Sequence, residues 1–486
     1  MAIEISEIEV RNFKNLKNVR IKPGKFNVVV GPNGSGKTNL LEFFKLLRKI
    51  YVERNPYPFL EWDGYENVVW NHQRSLPIEF RLETVERASL NEIIKDQTFL
   101  KDAIKLEKII PLTIYRSIYA SFWADKSENL KMLLEGMEFK IPELDFKLVV
   151  EKSGDVWTVD INGKLYKQDA EKVGLESLYS FIISSLEDSL RFSDFGWAEE
   201  PIKDLFVDQI IPSVCIQRME ISKSLDEFDE MYEKLLKEPL AKGLKKLGVQ
   251  KLEATAILDL GKEEKMKIDL SSGLISYLFS KAYAPFLIIF KTALLLPLNL
   301  TEIKYKRILP TDEPLKERGE NALDILALTQ LRENKLPDRI EYALETYFNG
   351  RGYFKERNFY FYDLNTRTEF SKEHLPEGML KLIVILTALE RNPAILMIDE
   401  VENSLHPEIL EFLVEVLKES EGSVFLTTHS PVVLNLVEPE EVFIFKPTTE
   451  GIEIRNLTEF KSKEDLLKEL EELGINLGDK VFFGLT

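Results

Sequence analysis

The sequence predicts an α/β fold: a parallel sheet that carries a glycine-rich turn, an antiparallel β lobe at the N-terminus, and a large, mainly helical insertion. Three observations point to it. The apolar run Phe26 to Val30 leads directly into Gly31-Pro32-Asn33-Gly34-Ser35-Gly36-Lys37-Thr38, after which Leu40, Phe43, Phe44, Leu47 and Ile50 recur on one helical face. A second continuous run, Ala394 to Ile398, ends in Asp399-Glu400, and a third, Val424 to Leu426, ends in Thr427-Thr428-His429-Ser430-Pro431. Runs apolar on both faces read as buried parallel strands, and open parallel sheets gather ligands at the carboxyl ends of such strands.

Composition narrows the class. A chain of 486 residues buries a large core and is long enough for more than one domain. With 44% hydrophobic and 30% charged residues it reads as globular and soluble. The first residues lack a basic segment followed by an apolar one, so no secretory leader is expected. The most apolar stretch, Tyr283 to Leu300, is cut by Pro285, Lys291 and Pro297; a buried helix is expected there and no bilayer span. Cys215 is the single cysteine, which excludes an intrachain disulfide and a cysteine-based zinc site and suits a reducing cytoplasm. The net charge of −18 argues against a globally basic nucleic-acid binder, but residues 1–50 carry ten Lys and Arg against four Asp and Glu, a local basic lobe able to attract phosphates.

In chain order, Ile3 to Val10 has the β-branched content of a strand, Arg11 to Asn15 breaks the pattern, and Pro23-Gly24 marks a turn before the strand that feeds the glycine-rich turn. Gln73 falls in a loop ahead of the alternating strand Pro77 to Glu83. From Leu90 to Lys140 the pattern reads as helical and charged. A β-meander follows (Phe146 to Val150, Val156 to Ile161, Lys164 to Tyr166), its last hairpin turned by Asn162-Gly163. Residues 170–250 read as amphipathic helices, Leu225 to Leu247 among them. The expected division is therefore 1–89, an insertion at 90–300, and 301–486.

The chemistry lies in the strand ends. Gly31 to Thr38 matches G-x-x-x-x-G-K-[ST] between a strand and a helix, the context in which backbone N–H groups line an anion nest at a helix N-terminus. Lys37 would then reach the β- and γ-phosphates and Thr38 would ligate Mg²⁺. Asp399 would hold the metal from the other side, and Glu400 would polarise an attacking water. His429, at a third strand end, could hydrogen-bond a γ-phosphate. The four histidines, at 72, 374, 406 and 429, all lie in or near these segments.

The ordered set Gly31 to Thr38, Leu375-Pro376-Glu377-Gly378, Leu396 to Glu400, Glu402-Asn403-Ser404-Leu405-His406-Pro407 and Thr427 to Pro431 resembles the ABC-type ATPase heads of the P-loop NTPases. It is most similar to the soluble branch of RecF, the structural-maintenance-of-chromosomes proteins and the OLD (overcoming lysogenization defect) family, grouped as AAA family ATPases; the opening Ile8 to Asn15 and Gly31 to Glu42 carry much of the likeness. The resemblance spans about 1–83 and 305–486 and leaves the insertion without an implied chemistry. It implies ATP and Mg²⁺ bound by Asn33, Gly34, Ser35, Gly36, Lys37 and Thr38, with Asp399 and Gln73 on the metal side, Glu400 as base and His429 as switch. It further implies a homodimer in which Asn33, Gly378 and the D-loop Asn403 to His406 face the partner's nucleotide. Pro376 replaces the serine of the usual signature, losing a hydroxyl that binds the γ-phosphate. The implied role is a cytoplasmic ATP-driven switch in DNA repair or antiviral defence, with DNA and a separate effector such as a nuclease as partners and no membrane. Two other readings stay open. A single-chain, ATP-regulated nuclease of OLD type is disfavoured because only 57 residues follow His429, and a transporter subunit because 341 positions separate Lys37 from Gly378.

Overall fold

The computed structural model describes residues 4–96, 108–154, 156–169, 237–247, 249, 256–259, 265–268, 274, 288–289, 292–295 and 297–482. The chain divides into two compact units, one chiefly of Glu79–Trp123 with Lys131–Phe286, the other of Ala2–Ile78, Ala124–Leu130 and Leu287–Thr486. The insertion expected from the sequence spans 90–300.

The second unit begins with β1 (Glu4–Phe13) and β2 (Leu16–Ile21), an antiparallel hairpin registered by Val10 opposite Val19. β1 runs on to Phe13, past the break expected at Arg11, because Asn12 and Lys14 adopt positive φ and turn the chain without ending the pairing. β3 (Phe26–Val30), buried at every residue, then feeds α1 (Lys37–Tyr51), whose buried face holds Leu40, Phe43, Phe44, Leu47 and Ile50.

The insertion unit carries β4 (Ile78–Ser89), α2 (Leu90–Asp96), β5 (Pro111–Ala124), β6 (Leu130–Ile141), β7 (Phe146–Ser153), β8 (Val156–Ile161) and β9 (Lys164–Asp169). From β4 to β9 the strands neighbour one another in sequence order, with β6 through β9 antiparallel. Asn162 and Gly163 both take positive φ, as a two-residue hairpin turn requires. The helical reading of Leu90 to Lys140 is corrected among the described residues: after α2 they form two long strands, while residues 97–107 lie outside the described residues. In β5, Leu112, Ile114 and Arg116 are buried while Thr113 and Tyr115 are half-exposed, a period of two supported by β-branched and aromatic residues. The outward Lys and Glu of β6 imitate a charged helix when its inward partners are not tracked. α3 (Glu238–Lys246) and the antiparallel pair β10 (Ala256–Asp259) and β11 (Lys265–Ile268) follow. The other helices expected over 170–250 lie outside the described residues.

The remaining elements belong to the second unit. β12 (Thr292–Leu295) pairs in parallel with β16, Leu294 opposite Met397, which corrects the helix expected over Tyr283 to Leu300 at these four residues; Ile288 and Ile289 are helical and buried, and residues 283–287, 290, 291 and 296 lie outside the described residues. A short apolar run does not separate strand from helix by periodicity, and Pro297 ends the segment early. α4 (Leu300–Tyr305), α5 (Ala322–Glu333) and α6 (Asp338–Phe348) lead to the antiparallel sheet of β13 (Gly350–Lys355), β14 (Asn358–Asp363) and β15 (Thr368–Ser371). Then come α7 (Glu377–Glu390), β16 (Ile395–Ile398), α8 (Pro407–Lys418), β17 (Ser423–Thr427), α9 (Pro431–Asn435), β18 (Val442–Thr448), β19 (Gly451–Asn456), α10 (Lys463–Leu473) and α11 (Leu477–Phe482).

The central sheet runs β12-β16-β17-β3-β18-β19, parallel except for the last pairing. β3, β16 and β17 are buried throughout, the burial that their largely apolar runs anticipate; in β3 the polar Asn27 is accommodated by hydrogen bonds to Gly24 O and Val424 O. α7 is buried from Met379 to Leu389 and packs into the same core as Val28, Leu396 and Leu426. This order sets the ends of β3, β16 and β17 side by side. No helix among the described residues is long and apolar enough to cross a membrane.

Candidate active site

The turn between β3 and α1 is held by its own backbone and by the hairpin. Ser35 N–H donates to Pro32 O at 3.1 Å, and the Lys37 ammonium donates to Gly31 O at 2.9 Å and Pro32 O at 3.2 Å. Gly36 has φ +87, and a Cβ there would lie 2.1 Å from Ile452 Cδ1 and 2.5 Å from Asn15 Oδ1, so no larger residue fits. Asn15, read in the sequence as part of a break, accepts from Asn39 Nδ2 at 2.6 Å and steadies the loop from the hairpin side. Among the described residues no side chain caps α1, and no acid lies in its first turn, leaving the positive end of the helix dipole to whatever enters the loop. The Ser35 hydroxyl is buried with no hydrogen-bond partner among the described residues. Lys37 is 7% exposed, and burial lowers its pKa against the opposing pull of Asp399, Glu400 and Glu402. An uncapped helix end, an orphaned hydroxyl and a buried ammonium form a cradle whose chemistry fits phosphate.

Asp399 ends β16, facing the loop. Its Oδ2 accepts from Thr38 Oγ1 at 3.0 Å and its Oδ1 from Thr427 Oγ1 at the end of β17, while its N–H donates to Leu295 O at the end of β12. Thr427 does two jobs, because its hydroxyl also accepts the Glu400 N–H at 2.8 Å. Glu400 sits at φ +47, a left-handed conformation uncommon for glutamate. Its carboxylate accepts from Asn403 Nδ2 at 2.5 Å and its carbonyl from Lys381 Nζ at 2.7 Å. Thr38 and Asp399, adjoining hard oxygen donors, suit Mg²⁺, which takes one or two protein oxygens and completes its shell with water and phosphate.

His429 follows β17. Its backbone N–H donates to Glu402 Oε1 at 2.6 Å, and the other oxygen of Glu402 accepts from Thr428 Oγ1 at 2.8 Å. The segment after β16 is thus tied to the segment after β17 by the Glu402 carboxylate. Asn33 and Gly34 are exposed at the tip of the phosphate loop. Gly378 lies in the first turn of α7, where a Cβ would come within 2.3 Å of Ser404 O.

The structure therefore brings Ser35, Gly36, Lys37, Thr38, Asp399 and Glu400 together, with His429 joined to them through Glu402. It does not join Gln73 to them by any hydrogen bond among the described residues. Gln73 is exposed just after the short 3₁₀ turn Trp70–His72. Sequence reasoning missed Thr427, Lys381, Glu402 and Asn15 as individual contributors. Lys381 did leave a signal, a lone charge in the apolar helix Met379-Leu380-Lys381-Leu382-Ile383, since a buried charge has to find partners.

Two family descriptions match the chain: AAA ATPase domain over residues 3–193, and AAA domain, putative AbiEii toxin, Type IV TA system, over residues 291–435. Between them they hold the phosphate loop, Gly378, Asp399, Glu400 and His429. Among curated proteins, the chromosome partition protein Smc of Methanococcus voltae is 51% identical over 41 residues, 8% of this chain and 3% of that protein. The DNA replication and repair protein RecF of Citrifermentans bemidjiense is 48% identical over 46 residues, 9% of this chain and 13% of that one. RecF of Bacillus mycoides is 31% identical over 97 residues, 18% and 26% of the two chains. Both matched stretches are AAA ATPase domains, and the shorter shared stretches make the chain similar to RecF and Smc. The chain spans only short stretches of these relatives, at most 26% of their length. Among solved structures, the Smc head domain derived from Pyrococcus furiosus, with an extended coiled coil and bound to the C-terminal domain of ScpA, covers 97% of this chain and 99% of its own at 11% identity and TM-score 0.37. The SMC head domain of Thermotoga maritima aligns over 93% and 98% of the two chains at 10% identity and TM-score 0.34.

Proposed function

We propose that the head binds ATP with Mg²⁺, hydrolyses it, and uses the cycle to close and release two copies of the chain that share their nucleotides. The observation that carries this reading is the meeting of Lys37, Thr38, Asp399 and Glu400 at adjoining ends of β3, β16 and β17, beside the buried Ser35 hydroxyl, which has no partner among the described residues. In this reading the loop amides and Lys37 hold the phosphates, and Glu400 takes a proton from the attacking water. Thr38 and Asp399 would hold Mg²⁺, which when bound neutralises charge on the transferring phosphoryl group. His429 would hydrogen-bond the γ-phosphate. Asn33, Gly378 and the D-loop Asn403 to His406 would face the second copy's nucleotide. With Pro376 in place of the signature hydroxyl, the trans contact rests on the N-terminal dipole of α7.

The biological setting we propose is DNA repair or defence against foreign DNA, with a separate effector such as a nuclease. It is supported by the names of the RecF and Smc relatives and by the basic first fifty residues. The test is ATP hydrolysis with and without DNA, using Lys37→Ala as the blank, together with size measurement of Glu400→Gln in saturating ATP and Mg²⁺. Hydrolysis abolished in Lys37→Ala and a dimer trapped in Glu400→Gln are expected. A monomer in Glu400→Gln counts against the shared site, and DNA binding that ignores salt concentration counts against phosphate contact.

A further inference from the structure

The geometry points to Lys381 as a positioning residue that holds Glu400 in its working conformation, a role that rests on the ATPase reading above. Lys381 lies three residues after Gly378 on α7, in a helix otherwise apolar around it, and is 9% exposed. A buried ammonium persists only where partners compensate its lost hydration. Its hydrogen bond is to the Glu400 carbonyl, 2.7 Å away, and the carboxylates Glu402, Glu400 and Asp399 stabilise its charge.

Glu400 needs such support. Its φ of +47 is a conformation that non-glycine residues keep only when the surroundings over-determine it. Each of its polar groups is held: the N–H by the Thr427 hydroxyl, the carboxylate by the Asn403 side chain, and the carbonyl by Lys381 and, at 3.1 Å, by the Asn403 N–H of the same turn. Of these four holds, the lysine's is the one that comes from α7. That helix is itself fixed against the turn, since Gly378 leaves no room for a Cβ before Ser404 O. A cavity of about 100 Å³ lies beside the contact, with Leu295, Leu298, Ile385 and Ile398 in its wall. Without the ammonium, the turn has space to relax toward an ordinary φ, carrying the carboxylate away from the water it has to activate.

The test compares Lys381→Met, Lys381→Arg and the unaltered chain in steady-state ATP hydrolysis, with equilibrium binding of a fluorescent ATP analogue and circular dichroism as controls. Misplacement of a catalytic group by about an ångström costs on the order of 10²-fold. Lys381→Met is expected to lower kcat by about that factor while KM and analogue affinity stay within about threefold, with Lys381→Arg recovering most of the loss. In a Glu400→Gln background, Lys381→Met should leave the residual rate unchanged. An unchanged kcat in Lys381→Met, a KM change that accounts for the loss, or an equal further loss on top of Glu400→Gln overturns the assignment. If the unaltered chain binds the analogue but hydrolyses no ATP, the ATPase reading falls and this one with it. A chain that hydrolyses ATP normally after Lys381→Met overturns this inference alone.

Discussion

Both compact units bury cations, and they use them differently. In the head, Lys37 and Lys381 come from two helices to the same three carboxylates, Asp399, Glu400 and Glu402, at the ends of parallel strands. In the insertion unit, Arg116 on β5 is 2% exposed and meets Glu86 on β4 at 2.8 Å, while its Nε and Nη2 find no partner among the described residues. Both arrangements are costly to desolvate. The first gathers donors, acceptors and a strained backbone around one point from several elements; the second ties two strands of one sheet. On the proposed function, the converging charges build a reactive centre, whereas the cross-strand pair serves the sheet it lies in.

The largest effect expected from breaking this contrast is on stability. Arg116→Ala removes the guanidinium from a buried carboxylate and should cost about 3–5 kcal/mol in urea unfolding, with affinity for an ATP analogue unchanged in the protein that remains folded. Joint replacement by Met at 116 and Gln at 86 should restore most of that loss. Loss of ATP hydrolysis without loss of stability in Arg116→Ala would erase the distinction between the two units.

A smaller effect is expected at Thr427. Thr427→Val keeps the shape of the side chain but removes the hydroxyl that binds Asp399 and receives the Glu400 N–H. Leaving that N–H unsatisfied should cost about 1–3 kcal/mol. The rate should fall by roughly 10- to 100-fold, since both acids lose a shared support. Hydrolysis at the unaltered rate would show that convergence at the strand ends is not what positions the acids.

Much of this contrast is legible in the sequence, and unevenly so. The strands that build the head site are largely apolar runs with a polar residue at the end, and that pattern by itself assigns Lys37, Thr38, Asp399, Glu400 and His429 to the segments that follow strand ends. The residues that support them carry no such mark, because Thr427, Glu402 and Asn15 are ordinary polar residues whose partners lie tens of positions away. The insertion misleads for a different reason. In β6, Lys and Glu outside and mixed apolar residues inside satisfy a loose helical pattern as readily as a strand, and only pairing with β7 decides between them. β12 is obscured by its brevity: four residues that are a strand because β16 lies beside them.

The smallest expected effect is a pH dependence of stability at Lys381. Burial pulls its pKa down to about 8 from 10.5, with Glu402, Glu400 and Asp399 opposing the shift only in part. Between those two values the unfolded chain binds more protons at this position than the folded one, so stability rises with pH. The gain is complete above 10.5 and is lost as pH falls through about 8, where the ammonium has to be buried charged. Lys381→Met has no proton to lose. The difference between its urea midpoint and that of the unaltered chain should therefore shift in favour of the unaltered chain between about pH 8 and 10.5. A level difference would mean that the carboxylates around Lys381 compensate its burial in full.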